Sequence, residues 1–370
     1  MKVVIPCPGI GHVPRGFESS ALDLARALQN DLDVTVYGGQ QLQDSDVDVT
    51  VLPTLKRTGK ASKLLVPAAQ RYRVEQLLFS GSLVPTLLKN RFDIVHLSDS
   101  LVALALTRLR KRLGLDYRLV FSNGGNRDPS LLKNFDLCQV LTPIQKQTAL
   151  EQGVAEERLE MIPYAIHTHT FRASATSRAD ARREFGIPEN MKVVLAVAPL
   201  DHHKRLDFLV RELASLGRSD VFFLAAGLRT ADTPQLEVLA QSALSGRYVF
   251  KTVPRSEIKK LYHAADVFAL PTLREGFGLV VLEAMAAGIP LVIHDWPLFR
   301  WMVPNDACRV DFSEVGAAAA RLRALFGGEI SATDVARENS NNVNSRFDWH
   351  ALKPAYLKMY ERARTLSPIS

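Results

Sequence analysis

Short β-branched runs alternate with amphipathic segments of helix length along almost the whole chain. This alternation predicts parallel strands joined by helices that cover both faces of a sheet. In the first half, the predicted strands are residues 2–6, 33–37, 48–52, 92–97, 117–122, 137–142 and 159–163. In the second half, they are residues 192–198, 221–227, 247–251, 266–271 and 289–295. The pattern predicts an α/β protein with two doubly wound sheets in succession.

A polar stretch separates the two sets of strands. Residues 164–190 carry many Ser, Thr and charged residues and no long apolar run, which favours an interdomain connection. We therefore expect a first domain over residues 1–165 and a second domain over residues 185–346. Near the C-terminus, residues 347–366 place apolar side chains at helical spacing, which predicts a packing helix that starts or kinks near Pro354.

The length of 370 residues exceeds the usual size of one hydrophobic core and agrees with two domains. A content of 47% hydrophobic and 23% charged residues is typical of a globular enzyme. The apolar runs are far shorter than the roughly 20 residues that a membrane-spanning helix needs. The first residues, "MKVVIPCPG", have too little apolar length for a signal peptide. We expect a cytoplasmic protein, and its three scattered cysteines suggest neither a disulfide framework nor a zinc site.

The formal net charge of +7 favours anionic partners. Basic residues concentrate in residues 55–91, where eight Lys and Arg face one acid, Glu75, and leucines lie between them. This composition suits a surface that binds anionic lipid headgroups at the inner face of a membrane, and equally an ordinary amphipathic helix with a basic outer face. Nucleic acid is a poorer match because aromatic residues are sparse between the bases.

Two glutamates frame a glycine turn in "LREGFGLVVLEAMAAGIPLVI", residues 273–293. Glu275 follows a predicted strand, and helical pattern runs from Gly278 to Gly288. Ligands of open α/β sheets sit beyond the carboxyl ends of strands, where helix N-termini present unpaired amides. Glu283 stands in a segment that is apolar nearly all round, where an unpaired carboxylate is costly. Two ordinary surface carboxylates would be the structural explanation of the pair. The expected burial of Glu283 instead favours a site that binds hydroxyls and phosphate.

A lysine follows the first strand of the second half, in "LAVAPLDHHKRLDFLV". There Lys204 could neutralise a departing diphosphate, although a solvated surface pair with Arg205 is the structural alternative. The adjacent His202 and His203 cannot easily face one metal ion together.

The first loop, "PCPGIGHVPRGFES", is rich in glycine and could approach a phosphate or sugar closely. Its glycines do not fit the G-x-G-x-x-G spacing, so a purely structural turn stays open.

The run "EGFGLVVLE" resembles the E-x7-E signature of retaining GT-B glycosyltransferases, family 4 in the carbohydrate-enzyme classification. The similarity extends through residues 261–295, and weaker matches lie at residues 163–171, 93–100 and 347–363. The resemblance implies two Rossmann-like domains that face each other across a cleft. It also implies that the last helix, within residues 347–370, crosses back onto the first domain.

The resemblance also implies a set of site residues. Glu275 would hold the donor sugar, Glu283 the ribose, and Lys204 the donor phosphates. The remaining donor-binding candidates are Gly16, Arg205, Gly276, Phe277, Gly278 and Leu279. The family's phosphate-binding arginine is replaced by Pro199, and Arg205, at a position usually occupied by glycine, could substitute for it.

Other family positions differ as well. The histidine that many members carry after the fifth strand is absent, and Asn123 or Asn126 could bind hydroxyls instead. His96 and Asp99 are further candidates on the acceptor or sugar side, although a histidine at a strand end is more often structural.

The implied chemistry is transfer of a hexose from a UDP- or GDP-sugar to an acceptor hydroxyl, with retention and without a metal or resident cofactor. The sequence Asp44-Ser45-Asp46 precedes a strand and is interpreted as a solvated loop. The first domain would hold the acceptor, and a glycan, a small molecule or a lipid-linked acceptor all fit. A GT-B-fold epimerase or hydrolase, or a sugar-nucleotide-binding protein without catalysis, stays open as an alternative.

Overall fold

The computed structural model describes residues 1–13, 16–42, 46–125 and 128–369. Three residues considered above, Asp44, Ser45 and Asn126, lie outside the described residues. The chain forms two compact units. The first unit is Met1–Ala165 together with Trp349–Ser370, and the second unit is Ile166–Asp348.

The first unit is built on a parallel seven-stranded sheet. Strands β1 to β7 span Lys2–Cys7, Asp33–Gly38, Val49–Val51, Ile94–Leu97, Arg118–Asn123, Leu137–Val140 and Leu159–Met161. Helices α1 to α5 span Gly16–Leu28, Lys60–Leu65, Arg71–Lys89, Ser100–Leu113 and Pro143–Glu151. The strand order is β3-β2-β1-β4-β5-β6-β7, so the chain reverses its direction of travel after β3, as in doubly wound folds.

The second unit has a parallel six-stranded sheet of the same type. Helices α6 to α13 span Ala175–Glu184, Leu206–Ser215, Thr233–Leu244, Ile258–Ala264, Leu279–Ala287, Pro297–Met302, Ala317–Gly327 and Ala332–Arg346. Strands β8 to β13 span Lys192–Val197, Val221–Ala226, Tyr248–Lys251, Val267–Leu270, Leu291–His294 and Arg309–Val310. The order β10-β9-β8-β11-β12-β13 places β8 and β11 side by side. The predicted fold class, with two Rossmann-like sheets, is confirmed.

Short 3-10 helices occur in the connections. They span Ala68–Gln70, Pro129–Asn134, Glu156–Arg158, Thr168–Phe171, His202–Lys204, Arg255–Glu257 and Asp306–Cys308.

The segment expected to connect the domains contains helix α6, which belongs to the second unit. The arginines that make this segment polar form contacts within the second unit. Arg182 and Arg178 both donate to the carboxylate of Asp266, at 2.7 and 2.5 Å, and so hold the helix against the start of β11.

The last helix, α14, spans Trp349–Thr365 and belongs to the first unit, as the predicted crossing requires. Its buried face carries Tyr356, Met359 and Tyr360, which join the core around β1 and α1. Pro354 lies inside the helix, five residues after its start. Among the helices of the described residues, none is long and apolar enough to cross a bilayer.

Candidate functional site

The central feature of the second unit is an ion pair between two predicted site residues. Strands β8 and β11 are parallel neighbours, so the loops that follow them leave from the same edge of the sheet. Lys204 Nζ lies 2.8 Å from Glu275 Oε2, and both side chains are partly exposed. Two motifs that are 71 positions apart in the sequence therefore meet at one point.

Local backbone geometry positions Lys204. The loop after β8 ends in the 3-10 helix His202–Lys204, and the Asp201 side chain caps it by accepting a hydrogen bond from the Lys204 backbone N–H at 3.0 Å. Arg205 follows with φ 54°, a left-handed conformation in which glycine is unstrained. The resemblance implies glycine at this position, which would adopt the same conformation without strain.

The loop after β11 delivers Glu275 to the opening of α10. Gly278 has φ 86° and immediately precedes Leu279, the first residue of the helix. A Cβ atom on Gly278 would lie 3.1 Å from the ring of Phe299. The turn therefore requires glycine for two reasons, and it leaves the first amides of α10 directed towards the loop. The Phe277 side chain is buried, so only its backbone can contribute to a ligand site.

Glu283 is the most deeply buried of the predicted site residues, with 1% of its side chain exposed. The Tyr262 hydroxyl donates to its Oε2 at 2.6 Å, and Arg255 donates to its Oε1 at 2.5 Å. Burial, and next the Glu283 carboxylate, raise the pKa of Tyr262 well above its usual value, so this hydroxyl stays protonated. The predicted burial of Glu283 is thus accompanied by two donors.

Sequence reasoning missed Arg255 and Tyr262 as parts of this site. Arg255 follows β10, and its side chain is 43% exposed. Arg255 thus contacts a buried carboxylate from a side chain that is itself partly exposed. Tyr262 is fully buried in α9. The sequence could have indicated Arg255 by its position, because it comes just after the carboxyl end of a predicted strand, where ligands of such sheets bind.

Arg205, predicted to contact the donor phosphates, makes contacts with Phe312 and Phe208 in the structure. Its guanidinium donates to the Phe312 carbonyl at 3.0 Å and lies 4.7 Å over the Phe208 ring. Neither residue belongs to the predicted donor set. The side chain therefore packs beside the start of α7, and the structure offers no contact that brings it to the ion pair of Lys204 and Glu275 within the described residues.

The two histidines before Lys204 are held by other groups. His202 Nδ1 lies 2.6 Å from Asp232 Oδ2, and this hydrogen bond raises the pKa of His202. The His202 and His203 rings lie against each other at 3.9 Å. In the described part of the chain, no group of three or more His, Cys, Asp or Glu side chains is placed to hold a metal ion.

In the first unit, the glycines of the first loop pack closely. Gly16 is the first residue of α1. A Cβ atom on Gly9 would lie 2.0 Å from Glu18 Oε1, and Gly11 has φ 85°. Close packing and backbone conformation therefore explain why residues 9 and 11 are glycines.

The remaining first-unit candidates are buried. His96 Nδ1 lies 2.6 Å from the Tyr360 hydroxyl, and burial lowers the pKa of His96 to about 4. Asp99 accepts hydrogen bonds from the Tyr72 hydroxyl and the Gln76 amide, at 2.8 and 3.0 Å. Asn123, at the end of β5, is buried and has no partner for its Oδ1 among the described residues. Of these, His96 has the contacts of a packing residue between sheet and helix.

Comparison with known proteins agrees with this architecture. Residues 177–341 match the family model described as glycosyl transferases group 1. The chain is 30% identical to a D-inositol 3-phosphate glycosyltransferase of Kineococcus radiotolerans, over 57% of this chain and 53% of that protein. It is 27% identical to the mannosylfructose-phosphate synthase of Agrobacterium fabrum, over 65% of this chain and 55% of that protein. The chain spans about half the length of the curated relatives it matches.

Solved structures share the fold over nearly the whole chain. The sucrose-phosphate synthase from Thermosynechococcus elongatus superposes with a TM-score of 0.81 at 19% identity, covering 98% of both chains. Anabaena HepE in complex with UDP and glucose gives a TM-score of 0.79 at 16% identity, covering 98% of this chain and 99% of that one.

Two parallel Rossmann-like sheets, with the last helix returned to the first of them, define a protein of the GT-B fold class. Within the second unit, residues 177–341 are similar to the glycosyl transferases group 1 family.

Proposed function

We propose that the protein is a retaining glycosyltransferase that moves a hexose from a nucleotide diphosphate sugar to an acceptor hydroxyl. The observation that carries this proposal is the meeting of Lys204 and Glu275 at the opening of α10, with Glu283 buried one turn further on. A cation and a row of helix amides suit a diphosphate, and carboxylates that only accept hydrogen bonds suit hydroxyl groups.

Each residue has a role in the proposed reaction. Lys204 and the amides from Gly276 to Leu279 would stabilise the negative charge that grows on the leaving diphosphate. Glu275 would accept hydrogen bonds from the sugar hydroxyls, and Glu283 from the ribose. The acceptor oxygen forms the new glycosidic bond on the face that the diphosphate leaves, and the diphosphate takes the acceptor proton. No protein nucleophile and no metal ion is required in this scheme.

The ion pair implies a rearrangement when the donor binds. Lys204 and Glu275 now neutralise each other at 2.8 Å. A bound diphosphate would attract the lysine, and a sugar ring would take the carboxylate. The pair would thus keep both charged side chains at the site before the donor arrives.

Acceptor and location are also proposals. HepE was solved with UDP and glucose and with UDP-glucose, which supports a uridine diphosphate hexose as the first donor to test. The names of the curated relatives include phosphorylated polyols and sugars as substrates or products. We propose a cytoplasmic enzyme with a glycan, glycolipid or small-molecule acceptor, associated peripherally with membrane through residues 55–91.

Donor binding and consumption test the proposal. The protein would be screened by thermal shift against UDP-, GDP- and ADP-hexoses, because a ligand that binds only the native state raises the melting temperature. The stabilising donor would then be assayed with sugar phosphates, polyol phosphates and glycolipids as acceptors. We expect acceptor-dependent consumption that Lys204→Ala and Glu275→Ala each lower by roughly 100-fold or more.

The control is Lys192→Ala, which removes an exposed lysine from the start of β8, at the opposite edge of the same sheet. This variant should keep normal turnover. Consumption without any acceptor would favour an epimerase or hydrolase, and donor binding without consumption would favour a binding protein. Near-normal turnover in Lys204→Ala or Glu275→Ala would refute the assignment of the site.

A further inference from the structure

The basic segment at the second and third helices of the first unit exposes an unusual amount of apolar surface. Leu64 and Leu65 in α2 are 85% and 71% exposed. In α3, the exposed leucines are Leu77, Leu78 and Leu88. An ordinary amphipathic helix would bury its leucines and expose only its charges. Here five leucines lie on the outside, so packing within the unit does not explain them.

Helix α3 has apolar side chains on two sides. The inner side includes Phe79, Leu83 and Leu87, which belong to the core of the first unit. On the outer side, Leu77, Gly81, Pro85 and Leu88 recur at intervals of three or four residues, and all four are exposed. This spacing puts them along one line of the helix surface, which is about 28 Å long for 19 residues.

Helix α2 is fastened to the start of α3. The Arg71 guanidinium donates to the carbonyls of Val66 and Lys63, at 2.9 and 3.1 Å. The exposed Leu64 and Leu65 of α2 are therefore held beside the first residue of α3, next to the exposed Arg73. We name this surface, formed by the exposed residues of 60–91, the α2–α3 face.

The charge of the α2–α3 face is entirely positive. Lys60, Lys63, Arg73, Lys89 and Arg91 are exposed. The single acid between residues 49 and 92, Glu75, is fully buried and binds His12 and the Arg57 backbone, at 2.6 and 2.8 Å. Arg57 also turns inward, where its guanidinium reaches Glu75 at 2.6 Å and covers the Tyr72 ring. Folding therefore buries the one negative charge of this segment and leaves five positive charges exposed among the leucines.

We propose that the α2–α3 face docks onto an anionic phospholipid bilayer, with its leucines inserted at the level of the headgroups. Apolar side chains interleaved with Lys and Arg match such an interface, because the leucines gain from burial and the bases from the negative surface potential. A second copy of the chain is a worse partner, because two such faces would oppose like charges. The proposal deepens the proposed function by naming where the enzyme works, but vesicle binding does not depend on that function.

Vesicle co-sedimentation of the full chain, without any sugar nucleotide, tests this proposal. We expect binding to vesicles of phosphatidylglycerol and phosphatidylcholine in equal parts, weaker binding in high salt, and little binding to pure phosphatidylcholine. Lys60→Gln with Lys63→Gln should weaken binding roughly 30-fold, at about a factor of five for each charge. Leu64→Ser with Leu65→Ser should weaken it roughly tenfold or more.

Matched controls separate this face from general charge and hydrophobicity. Lys192→Gln with Lys259→Gln removes two exposed lysines of the second unit. Val238→Ser with Val315→Ser removes two apolar side chains that are 71% and 86% exposed. Both controls should bind vesicles like the unaltered chain. All the altered side chains are exposed, so the variants should unfold at unchanged temperatures.

Three results would overturn the proposal. The first is no binding to anionic vesicles. The second is binding that the lysine and leucine variants leave unchanged. The third is a concentration-dependent dimer in sedimentation velocity that Leu64→Ser with Leu65→Ser abolishes, without vesicle binding, since that would assign the face to a second copy. A protein that consumes donor but ignores vesicles refutes this inference alone, and the reverse result refutes only the proposed function.

Discussion

At the scale of single residues, the buried carboxylate of Glu283 sets the strongest constraint. A carboxylate with 1% of its side chain exposed needs donors, because burial without them costs several kcal/mol. Tyr262 supplies a neutral donor from inside the unit, and Arg255 supplies a charged donor from its surface. Tyr262 is fully buried, so water cannot take the place of its hydroxyl as a donor to Glu283. Loss of the Tyr262 hydroxyl should therefore cost more stability than loss of the Arg255 guanidinium.

Tyr262→Phe therefore tests whether the Glu283 environment stabilises the fold. The variant keeps the ring and removes the hydroxyl, which leaves one carboxylate oxygen short of a donor. We expect the free energy of unfolding in urea to fall by about 1–3 kcal/mol. The control is Tyr248→Phe, whose hydroxyl makes a longer bond of 3.3 Å to the Glu237 carbonyl near the surface. Equal stability of Tyr262→Phe and the unaltered chain would contradict the prediction.

At the scale of elements, glycine determines where α10 begins and ends. Gly278 and Gly288 both have positive φ, at 86° and 71°. The nine-residue helix is apolar on all sides and buries six residues, including Glu283. Packing around the buried helix therefore fixes the position of its N-terminus. No side chain caps this N-terminus, so the orientation of its first amides does not depend on a capping hydrogen bond.

Gly278→Ala should damage this opening. An alanine with φ 86° costs about 1–2 kcal/mol in backbone strain, and its Cβ would also press on Phe299. We expect lower unfolding free energy and a smaller thermal shift with the donor. Gly81→Ala is the matched control, because Gly81 lies inside α3 and a methyl group added there would meet no neighbouring atom within 4 Å. This control should gain about 0.5–1 kcal/mol. A stable Gly278→Ala that binds donor normally would count against the role of this turn.

At the scale of the whole molecule, the chain returns to the first unit after completing the second. The returning helix α14 is held by buried hydrogen bonds as well as apolar contacts. Tyr360 pairs with His96 of β4, and Gln139 of β6 donates to the Tyr356 hydroxyl at 2.8 Å. Burial raises the pKa of both tyrosines above the usual value, so both hydroxyls are protonated at neutral pH.

The His96 contact makes stability depend on pH. Its pKa in the folded state is about 4 because burial disfavours the charged ring, whereas an unfolded chain has a histidine pKa of about 6.5. Between these values the unfolded chain binds a proton that the folded chain does not, so stability falls as the pH drops through this window. The expected loss is about 2 kcal/mol between pH 7 and pH 5.

Urea unfolding at several pH values measures this effect. His96→Gln should be less stable at neutral pH but should lose less stability on acidification. The difference between the two proteins isolates the histidine from the carboxylates, which titrate in both. Parallel pH profiles of the variant and the unaltered chain would contradict the prediction.

Most of the fold was predictable because local patterns and the tertiary structure agree. Every predicted strand is present, since buried parallel strands are short β-branched runs that stand out from amphipathic helices. The two-residue strand β13 was missed, because it is too short to have a pattern. Helix α6 was missed because its arginines bind Asp266 from a segment with little apolar content.

The candidate site was predictable only in part. Glu275, Glu283 and Lys204 stand in recognisable motifs, but the direct contact of Lys204 with Glu275 depends on the adjacency of β8 and β11. The place of Arg205 at the phosphates stays a prediction, and only the folded structure shows that its guanidinium contacts the Phe312 carbonyl. Arg255 carries no motif, so only the folded sheet edge identifies it.

The sequence by itself determined the two doubly wound sheets, the glycine turn before α10 and the need to bury Glu283. These features depend on residue periodicity, on backbone conformations that only glycine adopts freely, and on the cost of an exposed apolar helix. The tertiary structure alone decided which charges meet and which face outward. It joined Lys204 to Glu275, buried Glu75 beneath the α2–α3 face and left that face positive. Such pairings link residues far apart in the chain, so they follow from strand order and burial rather than from local pattern.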